Sequence, residues 1–153
     1  MLRVSKLTDY ATVLMAALAD LPEELASASD LAERAHIELP TVSKLLKLLA
    51  GAGLIESKRG VNGGYRLARP AAKISVLDIV AAIEGPIGMT ECSVHAGQCH
   101  HETRCRIQHN WRRINTAIGD ALRGVTLDEL RAPAPAPAHA LRGKSVPIRV
   151  TLA

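Results

Sequence analysis

The chain has 153 residues, of which 48% are hydrophobic, yet it contains no Phe, one Trp and two Tyr. Its core must therefore be filled by Leu, Ile, Val and Ala, which favours helices packed at close range. The net charge of +4 is modest, no segment approaches the ~20 apolar residues of a membrane span, and there is neither a Walker loop nor a nucleophile elbow; nothing points to a membrane protein or an enzyme.

The opening "MLRVSKLTDYATVLMAALADLP" carries early positive charge and an apolar run, as a signal peptide does. Asp9 interrupts that run, however, and Leu7, Ala11, Leu14, Met15 and Leu18 recur at helical spacing, so it reads as an amphipathic first helix. Ser27, with Asp30 three residues on, caps a short second helix. A four-residue turn precedes "LPTVSKLLKLLAGAGLIE", where Pro40 suits the first turn of a third helix. Val42, Leu45, Leu46 and Leu49 line one face of it, leaving Thr41, Ser43, Lys44 and Lys47 nearer the other, and Gly51 and Gly53 end it. A short helix, a tight turn and a second helix with a basic N-terminal half is the helix-turn-helix pattern.

"LIESKRGVNGGYRLARP" then reads as a strand from Leu54 to Lys58, a Gly-rich turn, and a strand from Tyr65 to Leu67. A hairpin directly after a helix-turn-helix makes a winged helix, here with Lys58, Arg59 and Arg66 about its tip. Between Pro40 and Lys73 there are seven Lys or Arg against one acid, Glu56. Such a local excess suits an anionic partner, and double-stranded DNA is the partner this arrangement fits. The expected fold is mainly α: a winged helix-turn-helix with a small β-hairpin wing and a long C-terminal dimerisation helix.

Ser75 and Asp78 cap a further helix that Gly85-Pro86 ends. From about Arg106 a longer helix carries Ile107, Trp111, Ile114, Ile118 and Leu122 in a stripe that no later large helix covers, which favours a homodimer interface over self-packing. Thr126 and Glu129 cap a last turn, and Pro-Ala alternation from Ala132 reads as an extended tail. The expected organisation is a winged-helix unit over 1–84, a cysteine loop over 85–105, the long helix and short terminal helix over 106–131, and a disordered tail over 132–153.

All three cysteines lie in "ECSVHAGQCHHETRC", at Cys92, Cys99 and Cys105, with His95, His100, His101 and His109 nearby. The segment is too polar for buried inert thiols. An odd count in a chain expected to be cytoplasmic argues against disulfides. Spacings of six and five residues between cysteines exceed those usual for zinc, and suit an iron–sulfur cluster better. Zinc and free thiols stay open at this level, as does a different class of protein, a metal or cluster carrier that has no need of a basic wing.

Together, "KLTDYATVLMAALA", "LPTVSKLLKLLAGAGLI", "RGVNGGYRLARP" and three cysteines ahead of a Trp-containing helix resemble the winged-helix, iron–sulfur-sensing transcriptional regulators that include IscR and NsrR. The resemblance covers about residues 1–130. "KLTDYATV", "LPTVSKLLKLLA" and "EGPIGMTEC" look most like the branch that controls the SUF operon for cluster assembly. It implies a repressor or regulator that senses through a bound cluster and acts as a homodimer whose long helices cross. Thr41, Ser43, Lys44 and Lys47 would meet the major groove and its phosphates, with Arg59 at a minor groove. Ser43 stands where IscR-like proteins have an acidic residue, and a hydroxyl discriminates bases less sharply than a carboxylate facing cytosine. The implied cluster ligands are Cys92, Cys99 and Cys105. For the fourth, IscR-like proteins have a His where this chain has Gln108, with His109 one step on. NsrR-like proteins use an Asp of the partner subunit, and Asp9 has a matching context. Whether the cluster is two-iron or four-iron follows from that ligand, and a nitric-oxide sensor is the neighbouring alternative.

Overall fold

Side-chain caps set where the helices begin. In the computed structural model, which describes residues 4–21, 24–60, 62–94, 99–100 and 104–133 but not the side chains of Glu91 and Cys92, α1 spans Lys6–Ala19 and starts at Ser5, whose hydroxyl accepts from the Thr8 amide at 3.2 Å. Helix α2 (Ala28–Ala35) opens on a reciprocal box between Ser27 and Asp30, as the sequence predicts. Ser27 donates its hydroxyl and backbone N–H to the Asp30 carboxylate, holding that carboxyl below the ordinary Asp range. His36 then turns the chain in a left-handed conformation at φ 52. The turn is His36 to Glu38, one residue shorter than expected, because Ala35 remains helical.

Helix α3 (Leu39–Gly51) buries Val42, Leu45, Leu46 and Leu49 completely, the four positions its periodicity marks. The chain leaves α3 through Gly53, whose φ of 70 is the conformation for which glycine pays no steric penalty. Strands β1 (Ile55–Lys58) and β2 (Gly64–Leu67) pair antiparallel, Glu56 opposite Arg66 and Lys58 opposite Gly64. Gly64 thus joins the second strand, one residue before the expected start. Ala26 bridges Tyr65 on β2's other edge, through N···O distances of 3.0 and 2.8 Å. A Cβ on Gly64 would lie 2.7 Å from the Ala26 carbonyl oxygen, so only glycine permits this approach.

A 3-10 turn (Ala71–Lys73) leads to α4 (Val76–Glu84), capped by Ser75 and Asp78 as predicted and ended by Gly85 at φ 83. A four-residue helix, α5 (Glu91–Val94), lies inside the segment expected to be loop. It forms because Thr90 supplies local partners: its carbonyl accepts from the Ser93 amide at 2.9 Å, and the two hydroxyls lie 2.7 Å apart. Helix α6 (Gln108–Arg123) packs on α4 and α5. Helix α7 (Leu127–Arg131), capped by Thr126 and Glu129, returns to the N-terminal unit. The Leu127 amide donates to the Ile74 carbonyl at 2.7 Å, and its side chain joins the Leu-rich core of α1 to α4 with no exposure. The expected tail beyond residue 133 lies outside the described residues, and among those described no helix is long and apolar enough to cross a membrane.

Glu84, the last residue of α4, reaches back to the start of α1. Its Oε1 accepts from the Thr8 hydroxyl at 2.5 Å and the Ser5 amide at 2.9 Å, which hold its carboxyl below the ordinary value of 4.5. A carboxyl lowered on folding adds stability above its unfolded pKa and loses it as pH falls through the folded one. Glu84→Ala should therefore lower the thermal midpoint at pH 7, with the gap to wild type narrowing as pH drops below 4.5. Leu127→Ala should cost about 2–5 kcal/mol in urea unfolding, the usual range for emptying a buried leucine site.

Candidate DNA-binding surface and cysteine segment

Burial of four aliphatic side chains fixes the rotation of α3, and with it the residues the helix presents. Ser43, Lys44 and Lys47 are exposed, and Thr41 is half-buried. Arg59 is exposed at the turn after β1, next to Gly60 at φ 115. None of Lys44, Lys47, Lys58 and Arg59 has an ion-pair partner among the described residues. Their charges are available to an outside anion.

Two of the seven bases between Pro40 and Lys73 are already spent within the fold. Arg66 donates from Nη2 and Nε to Glu56 Oε2 at 2.9 and 3.1 Å across the hairpin. Arg69 donates to Asp78 Oδ2 at 3.0 Å and to the Lys73 carbonyl at 3.0 Å. The wing's outward charge is thus Lys58 and Arg59, and Arg66 does not add to it as the charge count implies. The strand register held the signal: residues directly opposite on a hairpin pair when their charges are opposite.

In the cysteine segment, Cys99 and Cys105 are half-buried and free of disulfide. Cys92 is the second residue of α5, with its side chain outside the described residues. His95 and His101 also lie outside them. His109 is exposed in the first turn of α6, while Gln108 beside it is half-buried and engaged. Asp9 is exposed in the first turn of α1, on a groove it shares with Val4, Val80 and Leu122, and Ser5 rather than Asp9 caps that helix. Among the described residues, no three Cys, His, Asp or Glu side chains converge to hold a metal ion. The donor chemistry nevertheless fits an iron–sulfur cluster, whose usual ligands are thiolates: Cys99 and Cys105 are free, half-buried thiols in one segment.

The apolar stripe expected on α6 is divided between two faces. Ile118 and Leu122 line a groove with Val80, Ile87 and Met89, and Trp111 is half-buried two turns before Ile118 on that side. Ile107 and Ile114 are instead 57% and 44% exposed. With Asn110, Ala117 and Ala121, all exposed, they follow spacings of three, four, three and four, the a/d seam of a coiled coil.

Two residues that tie these helices to their neighbours, Asn115 of α6 and Glu84 of α4, carry no motif in the sequence. Asn115, on the same face as Trp111 and Ile118, hydrogen-bonds the backbone between α4 and α5. Its signal was a polar residue at an apolar-face position. Glu84 is an acid at a helix C-terminus, where the macrodipole disfavours it unless a specific contact compensates.

A helix-turn-helix, a hairpin wing bound to it and unpaired basic side chains on both define a winged-helix transcriptional regulator. A family model described as "Iron-dependent Transcriptional regulator", Rrf2, matches residues 4–133, and the chain belongs to that family. Over 102 residues it is 41% identical to a Neisseria meningitidis protein that bears the name of an HTH-type transcriptional regulator, covering 67% of this chain and 68% of that one. Over the same length it is 37% identical to the HTH-type transcriptional regulator IscR of Vibrio campbellii, covering 67% of this chain and 60% of IscR. Among solved structures, CymR, the global cysteine regulator of B. subtilis, superposes with a TM-score of 0.66 at 30% identity, covering 86% of this chain and 97% of CymR. These relatives are regulators, not enzymes.

Proposed function

We propose that this Rrf2 regulator represses iron–sulfur cluster assembly genes of the SUF type and senses cluster supply through an iron–sulfur cluster of its own. The observation that carries the reading is the placement of all three cysteines between the winged-helix unit and α6, two of them with half-buried, unpaired thiols. The name IscR among its relatives and the family's description as iron-dependent support it. Assignment to SUF genes rests on the likeness of "KLTDYATV", "LPTVSKLLKLLA" and "EGPIGMTEC" to that branch.

In this reading Cys92, Cys99 and Cys105 supply three thiolates, and Asp9 of the partner subunit or His109 supplies the fourth ligand. A bound cluster contributes a signal by being present or lost. The rest of the mechanism belongs to the chain. Cys92 would contribute its thiol from α5, and Cys99 and Cys105 theirs from the segment between α5 and α6, so that ligation would tie that segment to both helices. The exposed seam of Ile107, Ile114, Ala117 and Ala121 meets its copy in a second subunit, so a shift of α6 alters the distance between two recognition helices. For a symmetric operator that distance matches about one duplex turn, ~34 Å, or a multiple of it. Lys44, Lys47 and Arg59 bind phosphates or a groove edge, and Thr41 and Ser43 read bases.

Protein purified without oxygen should show sulfur-to-iron charge-transfer absorption and carry iron and sulfide in near-equal amounts. Serine in place of Cys92, Cys99 or Cys105 should abolish both. A colourless protein holding zinc would end the sensing reading and leave a winged-helix DNA binder.

Binding to a duplex from the cluster-assembly promoter gives a second check. Lys47→Gln and Arg59→Gln should each weaken binding on any sequence and reduce the slope of log affinity against log salt by about 0.9. Thr41→Ala and Ser43→Ala should instead relax preference at single base pairs, by about 0.5–1.5 kcal/mol each, the usual worth of one neutral hydrogen bond. Anisotropy titrations over a salt series separate the two effects, and an unchanged salt slope in Arg59→Gln would remove the wing from the interface.

A further inference from the structure

Between α4 and α5 the chain is held by one side chain of α6. Asn115 Nδ2 donates to the Ile87 carbonyl at 3.1 Å, and Asn115 Oδ1 accepts from the Met89 amide at 3.2 Å. Both ends of a half-buried amide are thus engaged with backbone two residues apart, which fixes both its rotamer and the strand of chain it grips.

The residue between the two gripped positions is Gly88. A Cβ there would lie 1.7 Å from Val94 Cγ2, so residue 88 lies directly against α5 and has no room for a side chain. Helix α5 is itself tied to this stretch, because the Thr90 carbonyl accepts from the Ser93 amide. A short run of contacts therefore leads from Asn115 on α6, through residues 87–89, to the helix that contains Cys92.

We propose that Asn115 is the positioning residue that transmits the state of the cysteine segment to α6. The inference rests on the reading above, that ligation at the cysteines changes DNA affinity, and it names the residue through which the change reaches the dimer helix. Apolar packing around Ile118 and Leu122 allows sliding, since dispersion contacts have little directional preference. The paired amide contacts do not: each has a required distance and angle, so a displacement of residues 87–89 must move α6 with it or break them. Loss of the amide should uncouple the two sites without removing a ligand or a DNA contact.

The test uses the full chain and compares wild type with Asn115→Leu, which removes both contacts at similar volume, and Asn115→Asp, which keeps the acceptor for Met89 and loses the donor to Ile87. Two quantities are read: hydrogen exchange at the Met89 amide in the metal-free protein, and the ratio of operator affinities between cluster-loaded and metal-free forms. In Asn115→Leu the Met89 amide should exchange about two- to tenfold faster, the range expected for losing one hydrogen bond. Iron per chain and metal-free operator affinity should stay at wild-type levels, while the affinity ratio moves at least about fivefold towards one. Asn115→Asp should keep Met89 protected and give an intermediate ratio, which also guards against a folding defect in the leucine variant. Unchanged Met89 exchange in Asn115→Leu would overturn the proposal, as would a wild-type affinity ratio in a variant whose Met89 amide has been released. Either result leaves the regulator reading standing, provided the wild type responds. A wild type that binds the operator equally in both forms would overturn the cluster-sensing reading and this inference with it.

Discussion

Complete burial of Val42, Leu45, Leu46 and Leu49 is the constraint on which the rest of this molecule depends. These four side chains leave α3 a single rotation about its axis, because turning the helix by one residue would carry leucines into water and Ser43 or Lys47 into a dry core. The outward row of polar and basic residues is the complement of that burial. The core they enter has no Phe and only half-buried aromatics, so it is filled mainly by aliphatic side chains from α1 to α4 and by Leu127 of α7. DNA recognition by this chain is therefore supported by residues that no DNA would touch.

The parts of the fold fixed by short-range chemistry were legible in the sequence. Ser5 escaped notice, but the boxes at Ser27, Ser75 and Thr126 were readable because each needs only two residues three apart. The glycines at 53 and 85 were readable for the same reason, since a left-handed exit is a local demand. Contacts between distant segments were harder to see. Nothing near Leu127 in sequence indicates that it docks on Ile74, and nothing near Glu84 points to Thr8. Helix α5 was missed because four residues are too few for any periodicity to register.

The site was legible in kind more than in detail. Helical spacing separated exposed from buried positions on α3, and the charge excess pointed to an anion. Counting charges could not tell Arg59, which is unpaired, from Arg66, which faces Glu56 across the hairpin. On α6 the spacing of large apolar residues suggested one stripe, whereas the neighbours on α4 and the 85–89 segment cover only part of it. A helix packed on one side and bare on the other needs two overlapping apolar patterns, and a single periodicity averages them. Asn115 shows the cost of that averaging, since it is a polar residue in a stripe read as a dimer interface and instead binds the backbone beside it.

The bridge between Ala26 and Tyr65 gives the wing a mechanical character of its own. The second strand is flanked by β1 on one side and by the residue just ahead of α2 on the other, so the hairpin is anchored at the root of the helix-turn-helix. Hinging the wing away from the helix-turn-helix would break that bridge, so the two are expected to move together. A wing and helix held in that way would adapt poorly to a duplex whose grooves are locally widened or narrowed, and the energetic penalty of deformation would fall on the DNA itself. Base pairs lying between the two, touched by neither, would then enter recognition through their stiffness.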